Sequence, residues 1–181
     1  AGDTKYAPST NTLCIDTCAA GQCANTSSFV CGAPTNTANS LYKASASTDL
    51  CVTSCTATEC ANKSTFICST PTGAAGDTKY APSTNTLCID TCAAGQCANT
   101  SSFVCGAPTN TANSLYKASA STDLCVTSCT ATECANKSTF ICSTPTGAAG
   151  DTKYAPSTNT LCIDTCAAGQ CANTSSFVCG A

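Results

Sequence analysis

The sequence contains no His, Met, Trp or Arg, and all seven of its basic residues are lysines. Charged residues make up only 9% of the chain, and the formal net charge is −3. Because a Ser or Thr nucleophile needs a nearby base, most often His, we expect no catalytic residues, no enzyme activity and no cofactor. The few lysines form no cluster, so nucleic acid is not a predicted partner.

Long apolar segments are also lacking. No run of eighteen apolar residues occurs, so no transmembrane helix is predicted, and no signal peptide is recognisable. The chain begins without Met, and its last repeat stops four residues short of the others. We therefore expect these 181 residues to be a window cut from a longer tandem chain, with membrane attachment only through terminal regions outside it.

Cysteine is the residue in excess, at 20 of 181 positions, above the roughly 8–10% that marks a disulfide scaffold. The number is even, and disulfides persist in oxidising compartments, so we predict an extracellular or cell-surface location with every cysteine bonded. The predicted disulfide cysteines are Cys14, Cys18, Cys23, Cys31, Cys51, Cys55, Cys60, Cys68, Cys88, Cys92, Cys97, Cys105, Cys125, Cys129, Cys134, Cys142, Cys162, Cys166, Cys171 and Cys179.

These cysteines follow an internal repeat. Residues 1–74 recur without change at 75–148, and the same sequence begins again at Ala149. A finer period of 37 residues divides each unit into an odd and an even module with four cysteines each. A module this short buries too little apolar area to fold alone, and disulfides compensate. The predicted modules are 1–37 (odd), 38–74 (even), 75–111 (odd), 112–148 (even) and 149–181 (odd, truncated).

The local sequence of each module favours strands over helices. Residues 12–15 and 28–31 are β-favouring runs between turn residues, and residues 6–7 are a candidate partner strand. The predicted fold class is small disulfide-rich tandem repeats, mainly short β-hairpins and loops arranged as a linear rod. The alternative is short helices stapled by disulfides, with a helix over residues 13–20 that ends at Gly21.

Four cysteines in one module allow three pairings, which the sequence alone does not distinguish. We favour the interlocked pairing inside each module, first to third and second to fourth, because bonds between modules would leave cysteines unmatched at the ends of the series. One phenylalanine per module is expected to fill its small core, namely Phe29, Phe66, Phe103, Phe140 and Phe177.

Each module carries one Asn-x-Ser sequon, two residues after its third cysteine. The middle residue changes from Thr to Lys between odd and even modules, whereas the sequon remains. Ser and Thr make up 54 of the 181 residues, which predicts a hydroxyl-rich surface typical of glycosylated proteins. The alternative is an Asn that only stabilises a turn. The predicted glycosylation sites, with covalent glycans as partners, are Asn25, Asn62, Asn99, Asn136 and Asn173.

Other functions fit the sequence less well. The cysteine spacings, without His, differ from those of zinc sites. A catalytic carboxylate pair at Asp3 and Asp16 is disfavoured because even modules replace both residues. Ice binding would need Thr-x-Thr at a much shorter period than 37 residues. An adhesion module would need an exposed aromatic patch, for which positions such as Tyr6 and Tyr42 are available.

The cysteine period, the Ala/Thr/Ser/Cys-rich composition and segments such as residues 12–23 resemble the central repeats of ciliate variable surface antigens, the immobilisation antigens of Paramecium and its relatives. The resemblance covers the whole chain. It implies a very long parent protein, held on the outer membrane by a glycolipid anchor, that coats cell and cilia. Residues 42–55 are also similar to furin-like cysteine-rich repeats, which implies rods of small β-hairpins.

The combined prediction is an extracellular surface-coat protein that shields a cell or cilium, stapled by disulfides and covered by glycans. The alternative within the structural class is a self-assembling extracellular fibril, in which modules also pack against other chains. Neighbouring coat molecules or further copies are the expected protein partners. Adhesion, ice binding and metal binding are the lesser alternatives.

Overall fold

The computed structural model describes residues 5–8, 15–46, 49–120 and 123–180, and no helix occurs among them. Ten two-residue strands pair consecutively into five antiparallel hairpins. The strands are β1 (Cys23–Ala24), β2 (Cys31–Gly32), β3 (Cys60–Ala61), β4 (Cys68–Ser69), β5 (Cys97–Ala98), β6 (Cys105–Gly106), β7 (Cys134–Ala135), β8 (Cys142–Ser143), β9 (Cys171–Ala172) and β10 (Cys179–Gly180). The predicted disulfide-linked hairpin repeats are confirmed, and the helical alternative is wrong for the described residues.

Every hairpin has the same register. In the first, Cys23 lies opposite Gly32, and Ala24 lies opposite Cys31. The two strands therefore each begin with a cysteine, and the two cysteines are not directly opposite each other. Each is free to bond to a cysteine outside its own hairpin ladder.

The loop between the two strands contains a residue in an unfavourable conformation. Asn25 N donates to Val30 O at 3.0 Å, and Phe29 N donates to Asn25 O at 2.9 Å. Phe29 has φ 55°, in the left-handed region that bulky residues avoid at a cost of about 1–2 kcal/mol. The same conformation occurs at Phe66, Phe103, Phe140 and Phe177. Its repetition in all five loops indicates that the surrounding framework imposes it.

A third segment packs beside each hairpin. Tyr6 forms an antiparallel bridge with Ile15, and Ala7 forms a parallel bridge with Val30. Ala7 O also accepts a hydrogen bond from Cys31 N at 2.8 Å. Equivalent bridges recur in all five modules. Residues 6–7 are thus confirmed as a partner strand.

Cysteine, alanine and tyrosine form the small cores. In the first, Tyr6, Ala24 and Cys31 are only 5%, 0% and 1% exposed. Phe29 is 49% exposed, and its four equivalents are half-buried. The expectation that Phe29 fills the module core is therefore wrong. The tyrosine ring of the adjacent segment occupies the space beside Ala24 and the disulfide, while Phe29 lies on the outer loop.

The chain divides into two compact units. The first takes residues up to Asp90 together with Ser102–Val104, and the second takes Thr91–Ser101 and the residues from Cys105 onward. Hairpins β1–β2 and β3–β4 belong to the first unit, and the other three belong to the second. The module boundaries at every 37 residues stay a prediction from the sequence repeat. Among the described residues, no helix is long and apolar enough to cross a membrane.

Candidate functional site

Within the described ranges, nine disulfides join eighteen cysteines according to two rules. The second cysteine of a module bonds to the fourth, 13 residues further on, and the third bonds to the first cysteine of the next module, 28 residues further on. The bonds are Cys18–Cys31, Cys55–Cys68, Cys92–Cys105, Cys129–Cys142 and Cys166–Cys179 inside modules, and Cys23–Cys51, Cys60–Cys88, Cys97–Cys125 and Cys134–Cys162 between modules.

The predicted pairing of first to third cysteine inside one module is therefore wrong. Backbone pairing of Ala24 with Leu50 brings the next module alongside β1, and the Cα atoms of Cys23 and Cys51 lie 5.0 Å apart as a result. When the count begins at Cys18, the bonds are again interlocked, first to third and second to fourth. Each group of four cysteines joined by two disulfides therefore begins at the second cysteine of a 37-residue module and ends at the first cysteine of the next.

Two cysteines have no described bond. Cys171 has no disulfide partner among the described residues. Cys14 lies outside the described residues.

Each disulfide restricts the unfolded chain by closing a loop. A separation of 13 residues corresponds to about 3 kcal/mol, and one of 28 residues to about 3.6 kcal/mol, in the loop-closure model. Each of the first four short loops encloses the cysteine that starts a long loop, so these loops overlap in pairs. The stability of a hairpin therefore depends on the module that follows it.

The short segments between the first and second cysteines of a module lie outside the described disulfide loops. No described disulfide spans residues 52–54, 89–91, 126–128 or 163–165. Cleavage elsewhere between the second cysteine of the first module and the fourth of the last leaves the products joined by a disulfide. Cleavage inside these segments separates them, which makes the pairing chemically testable.

The junction from an odd to an even module is a strip of paired backbone. Cys51 N donates to Ala24 O at 3.0 Å, and Thr26 N donates to Asn39 O at 2.9 Å. Ala24 is 0% exposed and Cys23 1% exposed beneath this strip. The disulfide and the hydrogen bonds therefore act at one buried seam.

The junction from an even to an odd module has the same backbone contacts. Ala61 N donates to Thr86 O at 2.8 Å, and Cys88 N donates to Ala61 O at 2.9 Å. A further bond runs from Cys55 N to Asn85 O at 2.8 Å. Both kinds of junction thus use the alanine after the third cysteine as donor and acceptor.

Carboxylates of the odd modules contact the preceding even module. Lys63 Nζ lies 2.7 Å from Asp90 Oδ1, and this hydrogen bond lowers the pKa of Asp90 below its usual range. The Ser64 hydroxyl donates to Asp77. Asp77 and Asp90 are the repeat equivalents of the carboxylate pair considered for catalysis, whose Asp3 lies outside the described residues. Each has its own partner in the junction, so their contacts are structural.

Charged residues elsewhere also have polar partners. Lys5 Nζ lies 3.2 Å from Asp49 Oδ2, and this hydrogen bond contributes most to raising the pKa of Lys5. The Thr56 hydroxyl donates to Glu59 Oε2 at 2.6 Å. Hydrogen bonds from Ser45 and Thr56 lower the pKa of Glu59. These contacts hold exposed side chains in place on the disulfide-bonded modules.

The sequon asparagines occupy one position in every hairpin loop. Asn25 Oδ1 accepts hydrogen bonds from Ser27 N at 2.9 Å and Ser28 N at 3.0 Å. A bond from the residue two positions on recurs at Asn62, Asn99, Asn136 and Asn173. Glycan attachment uses the side-chain nitrogen and leaves Oδ1 as an acceptor. The turn and the glycan are therefore compatible at these positions.

The structure weakens two of the less favoured functions, adhesion and ice binding. Tyr6 and Tyr42 are each 5% exposed, so the positions considered for an adhesive aromatic patch are buried. The hydroxyls of Thr35 and Thr37 lie 2.8 Å apart and hydrogen-bond to each other. Such hydroxyls are already paired within the chain, which weakens the case for a threonine surface that binds ice.

One cavity of about 210 Å³ lies in the second unit, with Val126, Cys129 and Glu133 among its lining residues. Hydrogen bonds from Ser119 and Thr130 lower the pKa of Glu133, which makes it a poor proton acceptor near neutral pH. Across the described ranges, no group of three or more His, Cys, Asp or Glu residues is arranged to hold a metal ion.

Comparison with known proteins finds no matching family model, no similar curated protein and no similar solved structure. The chain's own contacts must therefore support any functional conclusion. They show cysteine-rich tandem repeats in which each unit is a small disulfide-linked hairpin, an arrangement compatible with an extracellular structural protein.

Sequence analysis missed the role of the alanine that follows each third cysteine. Ala24, Ala61, Ala98 and Ala135 are 0% exposed and carry the backbone contacts of the four junctions. A signal was present, because the run Cys-Ala-Asn is identical in odd and even modules while most neighbouring residues differ. A small residue is needed there because the next module's backbone packs directly against it.

Proposed function

We propose that this chain is an extracellular structural protein whose hairpin modules form part of a cell-surface coat. The observation that carries the proposal is the overlapping series of nine disulfides, four of which bond a hairpin to the following module. Such bonds persist in oxidising surroundings and limit how far one cut or one local opening can spread. The proposal includes no catalytic role, cofactor or metal.

Within this class, we propose a surface antigen of the ciliate type, which the sequence resembles. Support comes from the unchanged 74-residue repeat and from loops rich in exposed Ser and Thr. An antibody raised against one 74-residue unit should label the outer face of intact ciliate cells that express the chain, including their cilia. Labelling that appears only after permeabilisation would refute a coat.

The proposed coat carries N-linked glycans at the five sequons. Support comes from the position of each sequon on an exposed hairpin loop and from the bonding of Asn25 through Oδ1 alone in its two turn contacts. Ser27, the third residue of the sequon, is exposed. Neither turn contact requires the nitrogen that would bear the sugar.

Two substitutions separate the glycan from the turn. Asn25→Asp keeps a side-chain oxygen for both backbone N–H groups but removes the glycosylated nitrogen, and Ser27→Ala keeps Asn25 but destroys the sequon. In chains secreted from eukaryotic cells, each variant should retain the nine disulfides and lose one glycan by intact-mass measurement. If both variants differed from the parent only by the mass of the substitution, and the asparagines of the parent carried no sugar, the Asn would have a purely structural role.

A further inference from the structure

The four disulfides between modules shorten the covalent path along the chain. Each joins two cysteines that are 28 residues apart in the sequence, and holds their Cα atoms 5.0 Å apart. When a chain is pulled from its ends, its shortest covalent connection becomes taut first. Tension therefore passes through these disulfides, and the 28-residue loop beside each of them is bypassed. The bonds are Cys23–Cys51, Cys60–Cys88, Cys97–Cys125 and Cys134–Cys162.

Three segments between these disulfides remain in the path of tension. They run from the first to the third cysteine of a module, and we call them the load segments: residues 51–60, 88–97 and 125–134. Each contributes nine residues of a 37-residue module to the path. At about 3.6 Å per residue, a load segment extends to about 32 Å at most, whereas a whole module without disulfides would extend to about 130 Å.

Backbone hydrogen bonds hold the load segments against the bypassed loops. In the segment 51–60, Val52 N donates to Tyr42 O at 2.8 Å, and Cys55 N donates to Asn85 O at 2.8 Å. Tyr42 lies in the bypassed loop before the segment, and Asn85 lies in the loop after it. The contact with a tyrosine recurs in the other two load segments. Extension of a load segment has to break these bonds, so it is opposed even before the covalent limit is reached.

The first four disulfides within modules attach a bypassed loop to the path without carrying tension themselves. Cys55–Cys68 is an example. A route through it would follow twenty residues from Cys68 to Cys88, whereas the direct route follows five residues from Cys55 to Cys60 and then crosses the Cys60–Cys88 bond. The longer route stays slack while the shorter one is intact. The sequon at Asn62 lies on the bypassed loop, outside the path of tension.

We propose that these repeats bear tension with little extension, and that the disulfides between modules and the load segments carry the force. The hairpin loops with their sequons stay folded under load, because a disulfide holds the two ends of each bypassed loop together. This property depends on the connectivity of the disulfides alone. It is independent of glycans and of a coat at the cell surface, so the antibody and glycan experiments can succeed or fail without affecting it.

Single-molecule stretching of the full chain, with a handle at each end, tests the path of tension. The chain carries the substitution Cys171→Ser, because this thiol belongs to none of the nine described disulfides and thiolates attack disulfides. Without reductant, the chain should extend to about 220 Å, and after complete reduction by a phosphine it should extend to about 650 Å. A repeated pull without reductant is the control and should return the first value.

Two matched pairs of substitutions separate the two kinds of disulfide. Cys60→Ser with Cys88→Ser removes a bond between modules. Tension should then follow Cys55–Cys68, which adds about fifteen residues to the path and should lengthen the oxidised chain by about 50 Å. Cys55→Ser with Cys68→Ser removes the bond within the module and should leave the length unchanged. Peptide mapping first checks the other eight disulfides in each variant.

Three results would overturn the proposal. An oxidised chain that extends to about 440 Å would match bonds confined to the 37-residue modules. A chain that lengthens when the Cys55–Cys68 bond is lost, but not when the Cys60–Cys88 bond is lost, would assign the force to the disulfide within the module. Any extension of the oxidised parent well beyond about 220 Å would show that the bypassed loops unfold under load. The two parent measurements need no cysteine substitution within the nine disulfides, so they decide the question even if a variant misfolds.

Discussion

The two kinds of junction share their backbone and disulfide contacts but differ in their side chains. Where an odd module follows an even one, Leu87 packs against a cluster that contains Tyr42, Ala61 and the edge of Phe66. Where an even module follows an odd one, Leu50 is 38% exposed. Each kind also has an ion pair, between Lys63 and Asp90 at the first and between Lys5 and Asp49 at the second.

This difference distinguishes the contacts that hold the modules in register from the contacts that only add stability. The disulfide and the alanine hydrogen bonds occur at every junction and therefore define the connection. The leucine before the first cysteine of a module packs against a core cluster at the junction from even to odd, at Leu87 and Leu161. We thus expect changes to the shared contacts to affect both junctions alike, and side-chain substitutions to affect them unequally.

The largest expected effect is an all-or-none pattern of cleavage at aspartates. Digestion with a protease that cuts before Asp, without reduction, should separate the chain at Asp16, Asp90 and Asp164, which lie outside the disulfide loops. Cuts at Asp49 and Asp77 fall inside loops across the two kinds of junction, so their products should stay joined. Mass spectrometry should find linked species covering 16–89 and 90–163, which have the same sequence and therefore one mass.

Bonds confined to the 37-residue modules would give the opposite pattern. The chain would then separate at Asp49 and Asp123 and stay joined at Asp90. Digestion after reduction is the control, because every cut should then release a separate peptide. If the products separated after a cut at only one of Asp49 and Asp77, the two kinds of junction would not have equivalent disulfides.

A second prediction concerns matched positions near the module ends. Gly73 has φ +70°, and a Cβ there would clash with the ring of Phe103, whereas Asn36 at the equivalent odd position has φ 57°. Gly73→Ala therefore adds a ring clash to the backbone penalty and should cost about 2–3 kcal/mol. Asn36→Ala should cost about 1 kcal/mol from the backbone alone. Thermal unfolding with disulfides intact measures both, and equal losses would contradict the Phe103 contact.

Sequence alone predicted the fold class of disulfide-linked hairpins, because β-favouring runs alternate with turn residues at every period. It did not predict β1, since Cys23–Ala24 lies outside the runs 12–15 and 28–31. The sequence predicted the wrong cysteine pairing because a repeating series of cysteines does not show which cysteine begins each disulfide-bonded group. In the structure the first such group begins at Cys18, whereas the module division began at Cys14. The sequence also assigned the core to Phe29, since aromatic size suggests burial. Burial is instead set by the segment at Tyr6, whose neighbour Ala7 forms a bridge to Val30, and aromatic size alone does not reveal that contact.

A third prediction tests the apolar side chains of the junctions. The pair Leu87→Ala and Leu161→Ala removes partly buried side chains from two core clusters, and each should cost about 1–2 kcal/mol. The matched pair Leu50→Ala and Leu124→Ala removes leucines that are 38% and 36% exposed, and each should cost less than about 0.5 kcal/mol. Thermal unfolding of the two double variants gives the comparison. Equal shifts in melting temperature would show that the backbone seam alone determines junction stability.

The smallest expected effect is an acid-range pH dependence at the junction from even to odd. Hydrogen bonds from Lys63 and Lys137 lower the pKa values of Asp90 and Asp164 below the usual 3.8. Their stabilisation is therefore present above the unfolded pKa and is lost as the pH falls through the lowered folded value. The double variant Lys63→Gln and Lys137→Gln should melt slightly below the parent at pH 7, and the difference should vanish once the pH has fallen through the lowered pKa values and both carboxylates are protonated. A difference that persists in acid would assign the effect to packing of the lysine side chains, because protonation removes only the charge interaction.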